Sequence, residues 1–141
     1  MKTFNLRFKL KEDTVIVEND GFSVWAYLLN RDETGIEKDT FICSPISPDS
    51  VLDRKYIEEG NPPKITEEYA TESAKIDDIS RKDIYVKTTG EGDFCILVKR
   101  EAFAAIYKDE ERGYSKAILK SGGFGNPWCS NLYEKTFEPK S

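Results

Sequence analysis

Residues 4 to 10, FNLRFKL, alternate strictly. Phe4, Leu6, Phe8 and Leu10 take one side, and Asn5, Arg7, Lys9 and the following Lys11 the other. A period of two puts successive side chains on opposite faces of an extended chain, so this stretch reads as a strand with one buried and one wet face. A half-buried strand commits the chain to a sheet, because its apolar face and its backbone both need partners.

The next stretches supply those partners. Lys11-Glu12-Asp13 is turn-like, and Val15-Ile16-Val17 gives a second short strand. Asn19-Asp20-Gly21 is a turn signal built from residues that tolerate positive φ. FSVWAYLLN, residues 22 to 30, is apolar on both faces and predicts a central strand covered from two sides. RDETG closes on Gly35, and residues 36 to 43 return as the other arm of a hairpin.

Ser47-Pro48-Asp49 has the form of a helix start, with Ser47 as N-cap, Pro48 in the first turn and Asp49 near the positive dipole end. Val51, Leu52 and Tyr56 would then share one face, and Gly60 would end the helix. Residues 61 to 81 have no clear period, and helix, edge strand and ordered loop all stay open there. Order returns with strands at 84–88, 94–99 and 103–108, the last two joined by a tight KREA turn. YSKAILK reads as a strand or a turn or two of helix, and NLYEKTFEP as a weak strand or coil. Short strands at this spacing predict a mainly β, α+β fold over residues 1–141: an antiparallel sheet or sandwich-like single domain with one or two short helices. A chain of 141 residues is long enough to build such a core without staples.

Composition removes several chemistries. The chain has no histidine, so Ser-His-Asp, Cys-His and histidine-assisted RNA cleavage are excluded. Its three cysteines, Cys43, Cys95 and Cys129, are widely spaced and odd in number, which suits reduced thiols better than a disulfide framework or a zinc site. Asp77-Asp78 and Asp109-Glu110-Glu111 lack the spacing that wraps a loop around calcium. No pair among the 26 acidic residues is marked as a buried catalytic couple. We therefore expect no enzyme activity and no cofactor. The formal net charge of −5 argues against nucleic acid and anionic membranes as partners. Without a long apolar run or a signal-peptide pattern, a cytoplasmic location is expected.

Two stretches stand out. KSGGFGNPWCS, residues 120 to 130, resembles a phosphate loop only in its glycines: the trailing lysine and hydroxyl are missing, and Pro127 disfavours the helix such a site needs. It reads as a turn whose Phe124 and Trp128 fold back on the sheet, or as a partner contact. Gly123→Val would destabilise it if the backbone there needs positive φ. The second stretch is acidic. Residues 1 to 70 carry 9 basic and 14 acidic side chains, against 12 and 12 in residues 71 to 141. Glu67, Glu68, Glu72, Asp77 and Asp78 cluster in the irregular segment with Tyr69 among them. They form either a solvated loop or an acidic surface that docks a basic protein.

Taken whole, this small acidic chain without catalytic equipment resembles the bacterial immunity proteins of contact-dependent inhibition and related polymorphic toxin systems. No motif carries the likeness, since such proteins share no signature. It implies neutralisation of a cognate toxin domain, for instance a nuclease, by tight binding; with a basic toxin, the acidic surface of Glu67, Glu68, Tyr69, Glu72, Asp77 and Asp78 is then the expected docking face. The alternative is a small-ligand-binding or regulatory module with a pocket lined by Trp25, Tyr27 and Trp128.

Overall fold

A computed structural model describes residues 3–139 as two sheets and two short helices. The first sheet is a meander of β1 (Phe4–Leu10), β2 (Asp13–Asn19), β3 (Val24–Leu29) and β4 (Ile36–Cys43), all antiparallel and in chain order. The second runs β5 (Ile84–Thr88), β6 (Phe94–Val98), β7 (Glu101–Ile106), β8 (Tyr114–Ser115) and β9 (Asn126–Pro127); only the β8–β9 pair is parallel. Helix α1 (Arg54–Glu58) lies between the sheets in sequence and α2 (Ser130–Phe137) follows the last strand. The mainly β, α+β expectation holds.

The alternation at the N-terminus does what it predicts. Leu6 pairs with Val17 and Phe8 with Val15, and those valines pair onward with Ala26 and Leu28. Val15, Val17 and Ala26 are fully buried, and Leu6, Phe8 and Leu10 pack against them. Val86, Phe94, Ile96, Val98 and Ile106 of the second sheet belong to the same cluster. Each fully buried aliphatic or aromatic side chain contributes about 1.5–3 kcal/mol of transfer free energy. At one side β4 lies along β7 and β8, where Ser115 Oγ donates to the Ile42 carbonyl at 2.8 Å and Lys38 Nζ to that of Tyr107 at 2.7 Å.

Four expectations are corrected. The helix begins at Arg54, with Asp53 as its N-cap accepting from the Tyr56 amide at 3.1 Å; Ser47-Pro48-Asp49 is not helical. The reason is tertiary: Asp49 spends its amide on the Ile65 carbonyl (3.0 Å) and its carbonyl on the Glu67 amide (2.8 Å), which holds it extended. Gly60 does close the helix, at φ +90. Second, the C-terminal stretch is helical. Tyr133 and Phe137, one turn apart, stack at 5.3 Å, and Phe137 also meets Tyr107 of the second sheet at 6.1 Å, so packing decides what local propensity left weak. Third, β7 starts at Glu101 rather than Phe103, and β6 stops at Val98, because Lys99 and Arg100 form a two-residue turn with both φ positive, at 50° and 74°. Fourth, YSKAILK contributes only the two strand residues Tyr114 and Ser115.

Residues 61–81 are an ordered strap. Ser44 and Lys75 form a parallel bridge, Asp49 bridges to Thr66, and Ala70 bridges to Ile118. Single 3-10 turns occupy Glu72–Ala74 and Arg81–Asp83. Ile65, Ala74 and Ile79 are buried beneath the strap and anchor it.

Candidate functional site

The glycine-rich loop folds into a reverse turn in which Gly122 and Gly125 exchange both backbone hydrogen bonds at 3.1 Å. Gly125 sits at φ +131, and a Cβ there would come within 2.8 Å of the Gly113 carbonyl. The turn drives Phe124 into the core, with ring centroids 5.8 Å from Phe41, 6.3 Å from Trp25 and 5.7 Å from Tyr69. The Phe124 carbonyl also accepts from the Phe41 amide at 3.1 Å. Gly123 lacks positive φ and faces open space, so the strain expected at Gly123 belongs to Gly125. Trp128 does not fold back with Phe124. It lies 5.2 Å from Tyr133 of α2, with Lys116 Nζ 5.2 Å from its ring.

The strap runs beside this turn. Leu119 donates its amide to the Tyr69 carbonyl at 2.7 Å, and Thr71 is held by the Ala117 and Lys116 carbonyls. On the other flank Lys64 acts as a clamp. Its ammonium lies 3.6 Å from Asp49, 3.7 Å from Asp53 and 4.5 Å from the centre of the Tyr56 ring, and the Tyr56 hydroxyl reaches Asp20. Between clamp and turn lies a cleft of about 520 Å³ with an apolar floor and walls: Val51, Leu52, Ile57, Pro63, Tyr69 and Phe124. Glu68 stands on its rim. Val51 and Leu52 are 74% and 46% exposed, high for large aliphatic side chains held in an ordered loop.

The six residues singled out from the sequence divide along the strap. Glu68 and Tyr69 line the cleft, and Glu67 is exposed beside them. Glu72 lines a shallower groove with Leu119 and Trp128. Asp77 and Asp78 lie past the turn at Glu72–Ala74, where Lys75 pairs with Asp77 at 3.2 Å and Lys99 Nζ donates to the Asp78 carbonyl at 3.1 Å. Lys120 pairs with Glu68 and also lies 4.9 Å over the Tyr69 ring. The apolar wall was missed, since Val51 and Leu52 read with Tyr56 as one face of a short surface helix. A Val-Leu pair with no apolar residue at i+3 was the available signal.

The alternative pocket is not assembled. Trp25 is only 4% exposed, packed among Tyr27, Phe41 and Phe124, while Trp128 belongs to the α2 contacts. Burial, reinforced by Glu18, Asp39 and Asp20, pushes the Tyr27 phenol above its ordinary range. Burial also pushes the Cys95 thiol up to about 11 and the Cys43 thiol higher, so neither is a thiolate at neutral pH. Among the described residues no group of three or more Cys, Asp or Glu is arranged to hold a metal, and no helix is long and apolar enough to cross a membrane. Compared with known proteins, the chain matches no family model, no curated protein and no solved structure.

Proposed function

We propose that this protein is a neutralising binder of the immunity type, which docks a basic toxin domain through the apolar cleft and the acidic strap beside it. One observation carries the reading: two large aliphatic side chains, Val51 and Leu52, are held exposed in an ordered loop next to Glu67, Glu68 and Tyr69. An apolar centre rimmed by charge is the anatomy of a specific protein interface. The acidic rim speeds encounter with a basic partner, and desolvation of the cleft supplies the slow off-rate. This reading places the protein in the cytoplasm, where a nuclease toxin would act, and gives it no catalytic step of its own.

The acids do different work within it. Glu68 and Glu72 line the two grooves and Glu67 is exposed beside Glu68, so these three carry the contact. Asp77 and Asp78 contribute to the long-range field alone. The test starts from the neighbouring open reading frames and uses a basic toxin domain found there as the partner. Val51→Asp with Leu52→Asp is expected to raise Kd about a hundredfold or more, while Glu67→Lys with Glu68→Lys chiefly lowers the association rate. Unchanged affinity and protection in both variants would sink the proposal. Thermal stabilisation by a small apolar compound, lost in the same Val51 and Leu52 variants and with no toxin binding, would transfer the cleft to the ligand-binding alternative, whose volume it also suits.

A further inference from the structure

The outer face of the second sheet is only half covered. Lys87 pairs across the strands with Cys95, and Cys95 with Ala105; over this end lies α2, with Lys87 Nζ 2.7 Å from the Tyr133 hydroxyl. The other end of the same face, where Tyr85 pairs with Leu97, has no such cover among the described residues, and Tyr85 is 63% exposed. There a groove of about 680 Å³ opens, with Tyr85 and Leu97 as its accessible apolar part, while the Ile84 side chain beside them is buried in the core.

The rim of this groove runs against the charge of the chain. Lys82, Lys99 and Arg100 line it with a single acid, Asp83. That carboxylate is already engaged: it accepts from the Ser80 amide at 2.9 Å and the Ser80 hydroxyl at 3.1 Å. Lys99 lies 4.0 Å from it and directs its ammonium to the Asp78 carbonyl. In a protein of net charge −5, three cations thus surround one occupied carboxylate.

The turn that presents two of the cations is itself costly. Lys99 and Arg100 both adopt positive φ in a two-residue hairpin turn, a position where Asn-Gly is the favoured pair. Asn-Gly would adopt that conformation at lower cost, so backbone stability alone would select other residues. Such strain is concentrated where side chains are needed for contact.

We infer that this groove is a second docking surface, and that its occupant is an acidic peptide segment of a partner protein carrying apolar side chains among its carboxylates. The cations complement the carboxylates, and Tyr85 and Leu97 receive the apolar groups. A nucleic-acid strand fits less well: Tyr85 is the groove's one aromatic, which gives no platform for successive bases.

The test uses the full chain and a short fluorescein-labelled peptide of glutamate and aspartate with interspersed leucines, read by anisotropy. Saturable binding that weakens as salt rises is expected. Lys82→Glu with Arg100→Glu should weaken it about tenfold or more with the fold retained. Lys99→Asn with Arg100→Gly is the sharper variant, since it repairs the turn: it should raise Tm and still lose the peptide. Retained affinity in that variant, or no saturable binding by the parent chain, overturns the inference. So does tighter binding of a single-stranded oligonucleotide than of the peptide. Glu67→Lys with Glu68→Lys should leave peptide binding intact, which separates this surface from the apolar cleft.

Discussion

Each sheet has an outer face that needs a cover, and the two covers differ in kind. The face carrying Trp25 and Phe41 is closed by the glycine turn, whose Phe124 is 6% exposed and touches three other aromatic rings. The face carrying Lys87 and Cys95 is closed by α2, which has no fully buried residue and holds on through Tyr133, Phe137 and a lysine ammonium. One cover is part of the core and the other rests on it. A groove lies beside each cover: an apolar one, bordered by the acidic strap, next to the glycine turn, and a cationic one at the end of the second sheet that α2 leaves open.

The difference predicts a graded response to mutation. Phe124→Ala should cost about 3–5 kcal/mol of unfolding free energy, measured by denaturant titration, because it empties an aromatic site with little room to collapse. A loss no larger than that for an α2 residue would break the comparison. Gly125→Ala should cost about 2–3 kcal/mol, from positive φ together with a 2.8 Å contact against the Gly113 carbonyl. Tyr133→Ala should cost about 1–2 kcal/mol, as it loses a half-exposed ring stack and the contact with Lys87. If it instead unfolds the chain, α2 is part of the core.

Asp83 sharpens the second region through pH. The Ser80 amide and hydroxyl hold its carboxyl below the ordinary range, helped by Lys99 and Lys82. A carboxyl depressed in the folded state stabilises the fold above its unfolded pKa of about 3.9, and that contribution fades as pH falls toward the folded value. Thermal melts of Asp83→Asn should therefore lose less Tm on acidification than the parent chain; parallel curves would refute the assignment. The smallest effect belongs to Gly123→Val, which should stay within about 0.5 kcal/mol because that position is open and unstrained. A large loss there would mean the whole turn, and not Gly125 alone, is intolerant.

The acidic strap was legible as composition but not as geometry. Glu67, Glu68 and Glu72 are exposed, as a run of carboxylates around few apolar residues implies. That Glu68 and Tyr69 share a cleft with Val51 and Leu52 depends on two bridges, Asp49 to Thr66 and Ala70 to Ile118, that join residues far apart in the chain. The first of these bridges also removes Asp49 from the helix that Ser47-Pro48-Asp49 suggested.

By itself the sequence determined the strands of the first sheet, the hairpin at residues 24–43, the later meander and the absence of imidazole chemistry. Period-two patterning and turn residues act between near neighbours, so they can be read along the chain. Tertiary structure alone decided that residues 130–137 are a helix, that Phe124 and Trp128 part company, and that Lys82, Lys99 and Arg100 gather in one groove while Glu68 lines another. Those outcomes rest on contacts between residues tens of positions apart. Local propensity there is close to balanced, and the energy of packing tips it.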